Sequence, residues 1–144
     1  MNKLLSLRQA ILDCPLKIKA DKLLTFAEKG SVLTYGGDAN KAFQIPYTAK
    51  VIVLDYSGSL HDLLFVVAQW LRRDNPGADA AAITWSADLL STKEADVELA
   101  VEVTETIGAV AQPDGKVKLQ PAPDPNAMGD DALKSFFADL NRTG

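Results

Sequence analysis

Few residues in this chain of 144 could carry out chemistry, because it has one histidine, His61, and one cysteine, Cys14. Nucleophilic catalysis needs a serine, cysteine or threonine beside a base. A zinc site needs about four cysteine, histidine or carboxylate ligands at close spacing. The sequence shows neither pattern. It therefore favours a protein that is not an enzyme and that holds no metal or cofactor.

His61 lies at the start of a predicted helix. It could act as a general base or as a pH sensor. No partner for proton transfer is suggested nearby, and His61 faces away from the apolar stripe of its helix, so we favour an exposed residue. A small enzyme or ligand-binding module that uses His61 and nearby carboxylates is the alternative function.

The composition is that of a folded protein, with 47% hydrophobic and 24% charged residues. The net charge of −4 gives no basic surface for nucleic-acid phosphates, so we do not expect DNA or RNA binding. One cysteine cannot form an internal disulfide, and no stretch has the pattern of a signal peptide or a membrane span. Synthesis in a reducing cytosol is the simplest interpretation.

Two helices are predicted from apolar residues at helical spacing. The first runs from Lys3 to Asp13. The second runs from Leu60 to Asp74 and begins after Ser59, a typical N-cap residue. Arg72 and Arg73 fall in its last turn, where cations interact favourably with the helix dipole.

Alternating apolar and polar residues predict the strands of a mainly antiparallel sheet. Pro46 cannot donate to a ladder, which places its strand at a sheet edge or at a bulge. With both helices packed on one face of the sheet, the predicted fold is α+β. The predicted strands are two short ones around a turn within Leu23–Tyr35, a long one at Ala42–Asp55, a hairpin of Ile83–Leu89 and Asp96–Ile107, and a short one at Lys116–Gln120.

The sequence predicts one domain over residues 1–120, followed by a different C-terminal region, residues 121–144. This region begins with three closely spaced prolines, which indicate an extended linker. It ends with a predicted amphipathic helix that includes Phe136 and Phe137. This helix could dock on its own domain or on a neighbouring subunit.

One face of the predicted strand Asp96–Ile107 carries an acidic stripe, Asp96, Glu98 and Glu102, which Glu94 and Glu105 continue. The plain interpretation is a solvated sheet face. The alternative is a surface that excludes nucleic acid or binds a basic partner, such as Arg72 and Arg73 of a neighbouring copy, because a charged field steers association. The candidate interface residues are Asp96, Glu98, Glu102, Arg72, Arg73, Phe136 and Phe137.

Five segments of the sequence, taken together in their order and spacing, carry a resemblance to a known family. They are Asn2–Leu12, Asp21–Leu24 with Phe26, Val53–Gly58, Trp70–Arg73 with Pro76, and Asp114–Lys116. In this arrangement the chain resembles the R-type tail completion proteins (the GpR family) of contractile-tailed bacteriophages and prophages. The likeness covers roughly residues 1–119. Its most specific parts are the opening run and the Trp-Leu-Arg-Arg element.

The resemblance implies a structural role at the head-proximal end of the tail tube, similar to that of tail terminators, where the tail joins the head. Such proteins commonly form rings, often hexamers. The implied partners are further copies of the chain, the tail tube protein and the head–tail connector proteins, with DNA passing through the channel unbound and no membrane contact. The implied location is the bacterial host cytoplasm during assembly and then the virion tail.

A ring would explain two features of the sequence, the acidic stripe and the segments that could contact a neighbouring subunit. A channel lined with carboxylates would not hold DNA, and a ring closes by burying one surface of a subunit against a different surface of the next. The edge strand marked by Pro46 and the predicted C-terminal helix are candidates for that contact. An assembly factor that is absent from the mature virion is a further alternative.

Overall fold

The computed structural model describes residues 1–34 and 42–122. The fold is α+β with a mainly antiparallel sheet, which confirms the predicted class. The predicted C-terminal helix with Phe136 and Phe137 lies outside the described residues. The elements are α1 (Asn2–Asp13), a short 3-10 helix (Ala20–Lys22), β1 (Leu23–Glu28), β2 (Leu33–Thr34), β3 (Ala42–Tyr56), α2 (Leu60–Asp74), β4 (Ile83–Leu89), β5 (Ala95–Ala111) and β6 (Val117–Ala122).

The six strands form one sheet in the order β1-β3-β5-β4, with β2 paired to β3 and β6 paired to β5. The predicted hairpin is confirmed, because β4 and β5 pair antiparallel from Ile83 opposite Val101 to Leu89 opposite Ala95. β5 continues beyond the predicted strand to Ala111, and its last part pairs with β6. β1 and β2 both pair with β3.

The chain divides into two compact units. The first consists of Met1–Gly30 and Tyr47–Val103 and contains both helices, β1, β4 and most of β3 and β5. The second consists of Ser31–Pro46 and Thr104–Gly144, and its described part contains β2, β6 and the remainder of β3 and β5. The assignment of residues 1–120 to a single domain stays a prediction.

The structure decides between the two positions predicted for Pro46, a sheet edge or a bulge. β3 is an inner strand between β1 and β5, so Pro46 does not mark a sheet edge. It lies at a bulge, because residues 29–32, four in number, lie opposite the three residues 45–47 between the paired segments of β1 and β2 with β3. The Ser31 N–H donates to the Pro46 carbonyl at 3.0 Å, and an antiparallel pair of this kind places the proline nitrogen on the same side. Ser31 lies between β1 and β2, outside either strand, so the missing N–H costs no ladder bond there. This segment is therefore not a candidate edge for subunit contact.

The core of the first unit lies between its helices and one face of its sheet. Side chains alternate along the strands, and the odd-numbered residues of β3 from Tyr47 to Val53 and of β5 from Val97 to Val103 are buried. Thr48 is buried too, on the opposite face of the sheet, and Tyr56 is buried after the left-handed Asp55. The helices contribute their apolar stripes, and α1 packs against both α2 and β1. The core side chains include Leu7, Ile11, Leu23, Tyr47, Ala49, Val51, Val53, Leu63, Val67, Trp70, Val97, Leu99, Val101 and Val103.

The turn from β3 into α2 depends on Tyr56 and Gly58. The Tyr56 hydroxyl donates to the Ser59 carbonyl at 2.7 Å, and burial raises the pKa of that hydroxyl. A Cβ at Gly58 would lie 2.6 Å from the Tyr56 Oη, so a side chain there would displace the ring. Ser59 then caps α2 as predicted, because its Oγ accepts from the Asp62 N–H.

A hydrogen-bonded cluster joins the two helices through Ser6. The buried Trp70 indole N–H donates to the Ser6 Oγ at 3.0 Å, and the Ser6 hydroxyl donates to the Asp74 Oδ2 at 2.6 Å. Arg73 Nε donates to the other carboxylate oxygen of Asp74 at 2.7 Å. Partial burial raises the pKa of Asp74, but the hydrogen bonds from Ser6 and Arg73 outweigh it and hold the pKa below its ordinary value of about 3.8.

Ser6→Ala should lower the free energy of unfolding by about 1–3 kcal/mol, because it leaves the buried indole N–H of Trp70 without its acceptor. Urea titration followed by tryptophan fluorescence measures the change. Ser57→Ala is the matched control, since Ser57 is exposed in the turn before α2 and should change stability by no more than about 0.5 kcal/mol. Equal effects of the two substitutions would contradict this role of Ser6.

The lowered pKa of Asp74 predicts an acid-dependent stability. The unfolded chain binds this proton more tightly than the folded chain, so Asp74 stabilises the fold above its unfolded pKa, and the contribution is lost as the pH falls through the folded pKa. Wild type should therefore lose more unfolding free energy than Asp74→Asn between about pH 5 and about pH 2. Parallel curves for the two proteins would show that Asp74 does not contribute.

Candidate assembly surface

The sheet of the first unit has a second face, opposite the helices, which we call the open face. It carries the even-numbered side chains of β1, β3, β4 and β5, since these alternate with the buried positions. Leu24 and Phe26 are exposed on β1. Lys50 lies opposite Phe26 on β3. This face therefore combines exposed apolar groups with charged ones.

Lys50 lies between two carboxylates of the open face. Its ammonium pairs with Glu98 of β5 and lies 3.8 Å from the Glu28 Oε1 of β1. The hydrogen bond to Glu98 raises the pKa of Lys50, although partial burial opposes the rise. One cation on the inner strand thus links the two strands on either side of it, and the charge of Glu98 is balanced within its own subunit.

The other two carboxylates of the acidic stripe also contact β3. The Thr48 hydroxyl donates to the Glu102 Oε1 at 2.8 Å. The Asp96 Oδ1 accepts the Asp55 N–H at 3.0 Å. Asp55 has a left-handed backbone (φ 52°), which aspartate tolerates better than most residues, and its carboxylate pairs with Lys22 at 2.8 Å.

The structure therefore brings Asp96, Glu98 and Glu102 onto one face, as the sequence predicts, but each has a partner within the subunit. Their role in contacts between subunits stays a prediction. Local patterning could not find these partners, because they lie in a strand 41 to 54 residues away in sequence.

The remaining predicted residues lie elsewhere. Arg73 is largely exposed and its Nε is bonded to the neighbouring Asp74. Arg72 is exposed in the last turn of α2. His61 is exposed in the first turn of the same helix. Phe136 and Phe137 lie outside the described part of the chain. The contacts described above do not bring Arg72, Arg73 or His61 next to the acidic stripe.

β4 is the feature that sequence patterning did not identify as a surface. Six of its seven residues are exposed, and Trp85 and Leu89 have 53% and 84% of their surface accessible. Two separate pockets lie beside β4. One is lined by residues that include Leu71, Arg72 and Ile83, and the other by residues that include Leu60, Ala87 and Leu89. Alternation predicts that these residues share a face, but it does not tell whether anything covers that face.

The outer edge of β4 is also available to another strand. The Glu102 N–H donates to the Ala82 carbonyl, and the Leu90 N–H donates to the Glu94 carbonyl. Since Ala82 and Leu90 are both even-numbered, the main-chain N–H and C=O groups of the even-numbered residues of β4 point towards β5. Those of the odd-numbered residues point away from it, to the outer edge. β4 ends the strand order of the sheet. Within the described residues, the main chain of Trp85, Ala87 and Leu89 therefore faces an open edge.

In residues 1–34 and 42–122, no group of three or more histidine, cysteine, aspartate or glutamate side chains is arranged to hold a metal ion. No helix in these ranges is long and apolar enough to cross a membrane.

Comparison with known proteins gives two matches. A family model described as P2 phage tail completion protein R (GpR) matches residues 1–125. The tail completion protein R of Escherichia phage P2 is 29% identical to the chain over 133 residues, which cover 83% of this chain and 84% of the phage protein. No solved structure shows a significant match.

Glu98→Lys should lower the urea midpoint of unfolding, because it places a second ammonium beside Lys50 on the open face. The loss should be larger at low salt than at high salt, since ions screen the repulsion. Asp79→Lys makes the same charge change at an exposed loop residue and serves as the control. If both variants unfold at the same midpoint, Glu98 is not paired with Lys50 in solution.

Proposed function

Since the chain belongs to the P2 phage tail completion protein R (GpR) family, we propose that it caps the head-proximal end of a phage tail tube and helps to join the tail to the head. Its role as a structural protein of phage tail completion follows from the family match over residues 1–125. The relative in phage P2, aligned over most of both chains, agrees with that role. The sequence resemblance is thereby confirmed.

The proposed structure in the virion is a ring, with six subunits as the number that tail terminators suggest. A ring needs two different surfaces on each subunit that fit one another. The apolar side chains exposed along β4 support the existence of such surfaces, because contiguous exposed apolar patches mark interaction sites. The tail tube protein and the head–tail connector proteins would bind the two sides of the ring, and assembly would take place in the host cytoplasm.

DNA would pass through the channel of this ring without specific binding. The net charge of −4 supports this part of the proposal, since an acidic protein does not attract phosphates. Asp96, Glu98 and Glu102 contribute to that charge while they join β5 to β3. Interface roles for these three residues, and for Arg72, Arg73, Phe136 and Phe137, remain part of the proposal.

We propose that the chain is not an enzyme. The family is one of structural tail proteins. His61, which the alternative function requires, is exposed at the start of α2, and it lines neither of the two pockets beside β4.

Disruption of the coding sequence in the phage that carries it should abolish infectious particles and leave separate heads and tails, as counted by plaque assay and electron microscopy. Wild-type chain supplied in trans should restore plaques, and His61→Ala should restore them equally. Normal joined particles without the chain would contradict the tail-completion role. Failure of His61→Ala alone would favour the enzyme alternative.

Mass spectrometry of purified virions separates a structural part from an assembly factor. A structural part should be present in every particle at a fixed ratio to the tail tube protein. Intact infectious virions that lack the chain would show that it acts during assembly and then leaves.

A further inference from the structure

Resting on the proposed ring, we infer that neighbouring subunits are joined by antiparallel pairing of β4 of one copy with β6 of the next. In the sheet formed by residues 1–34 and 42–122, both are outer strands that pair with β5 in their own chain. Both are exposed over almost their whole length. A second copy of this chain fits both edges, for three reasons of geometry and charge.

The first reason is that, in both strands, the odd-numbered residues are the ones whose main-chain N–H and C=O groups point away from β5. The odd-numbered residues of β4 point outward, as shown above. In β6, the Gln112 N–H donates to the Lys116 carbonyl at 2.8 Å, so the even-numbered residues bond to β5 and the odd-numbered ones, Val117, Leu119 and Pro121, point outward. Pro121 has no N–H to donate, so the N–H groups that β6 offers to a neighbouring strand are those of Val117 and Leu119, and Pro121 offers only its carbonyl.

The second reason is that both strands have one apolar and one polar face. On β4 the outward residues carry Trp85 and Leu89, and on β6 they carry Val117 and Leu119; all four side chains are exposed. Antiparallel pairing of outward residues places these side chains on the same face of the extended sheet. The apolar surface of one copy would then cover that of the next.

The third reason is charge. The only charged residue of β4 is Asp88, and β6 with the residue before it carries Lys116 and Lys118 and no acidic residue. Two registers place odd-numbered residues of β4 opposite odd-numbered residues of β6 and also place a lysine opposite Asp88. One pairs Asp88 with Lys118 and Leu89 with Val117. The other pairs Asp88 with Lys116 and Trp85 with Leu119.

A symmetric contact of β4 with β4 of another copy would instead leave Asp88 without an opposite charge, because β4 carries no lysine or arginine. β4 and β6 are different surfaces, so their contact is heterologous and repeats from copy to copy, as a ring requires. The same strand pairing also conceals the open edge of β4 that a free subunit exposes.

Cysteine cross-linking tests this contact on the full chain in a Cys14→Ala background. Residues in a non-hydrogen-bonded antiparallel pair have Cα atoms about 4.5 Å apart, within the range of a disulfide. Asp88→Cys mixed with Lys118→Cys or with Lys116→Cys should give a linked dimer on mild oxidation. A Phe65→Cys variant, at an exposed site on α2, should not link to either lysine position.

The result that overturns the inference is the absence of a cross-link from Asp88→Cys to both lysine positions. Linkage of Asp88→Cys to itself in preference to them would also overturn it, because that contact is symmetric. If these results appear while the chain still restores plaques, the strand contact is wrong and tail completion stands. Loss of plaque restoration with intact cross-linking would instead count against the proposed function.

Charge exchange provides an independent measurement. Asp88→Lys should weaken self-association roughly tenfold in sedimentation experiments, because it replaces an attraction across the strands by a repulsion. Lys116→Asp with Lys118→Asp in the same chain should recover the loss. Trp85→Lys should also weaken association, whereas Phe65→Lys removes an equally exposed apolar side chain away from the edge and should not. Equal association of the Trp85 and Phe65 variants would contradict the inference.

Discussion

The antiparallel order that sets β3 beside β5 is the constraint on which the rest of the first unit depends. Alternation along both strands sends the odd-numbered side chains to the helices and the even-numbered ones to the open face. A shift of one residue in either strand would exchange Val51 or Leu99 for a charged neighbour in the core. The contacts of Lys50, Thr48 and Asp55 with β5 stabilise the correct alignment from the other side of the sheet.

The helical layer shows how polar groups can be retained beside this core. Trp70 contributes its large apolar ring to the interior, but its indole N–H needs an acceptor there. Ser6 of α1 supplies the acceptor, and its own hydroxyl donates a hydrogen bond to the Asp74 carboxylate. The residues of the opening run and of the Trp-Leu-Arg-Arg element, which carried the family resemblance, thus meet in one cluster that orients α1 on α2.

How much the sequence could predict depended on the range of the interaction. Local rules gave the bounds of α2 and its Ser59 cap, because stripe and cap both lie within one segment. A proline rule shows that an N–H is missing at Pro46 but not which neighbour faces it, so it could not decide between a sheet edge and a bulge. The partners of Glu98 and Glu102 were missed, since strand order decides them. The exposure of Trp85 depends on what covers β4, and alternation carries no such information.

The exposed edge of β4 also affects the life of the free subunit. An edge strand without lysine or proline, with Trp85 and Leu89 on its outward residues, is a template for indiscriminate β-aggregation. In the proposed ring, assembly and aggregation would therefore compete for the same strand, and the outcome would depend on the concentration of unassembled chain. Slow synthesis, or synthesis timed to the appearance of its partners, protects such a subunit better than any increase in the stability of its fold.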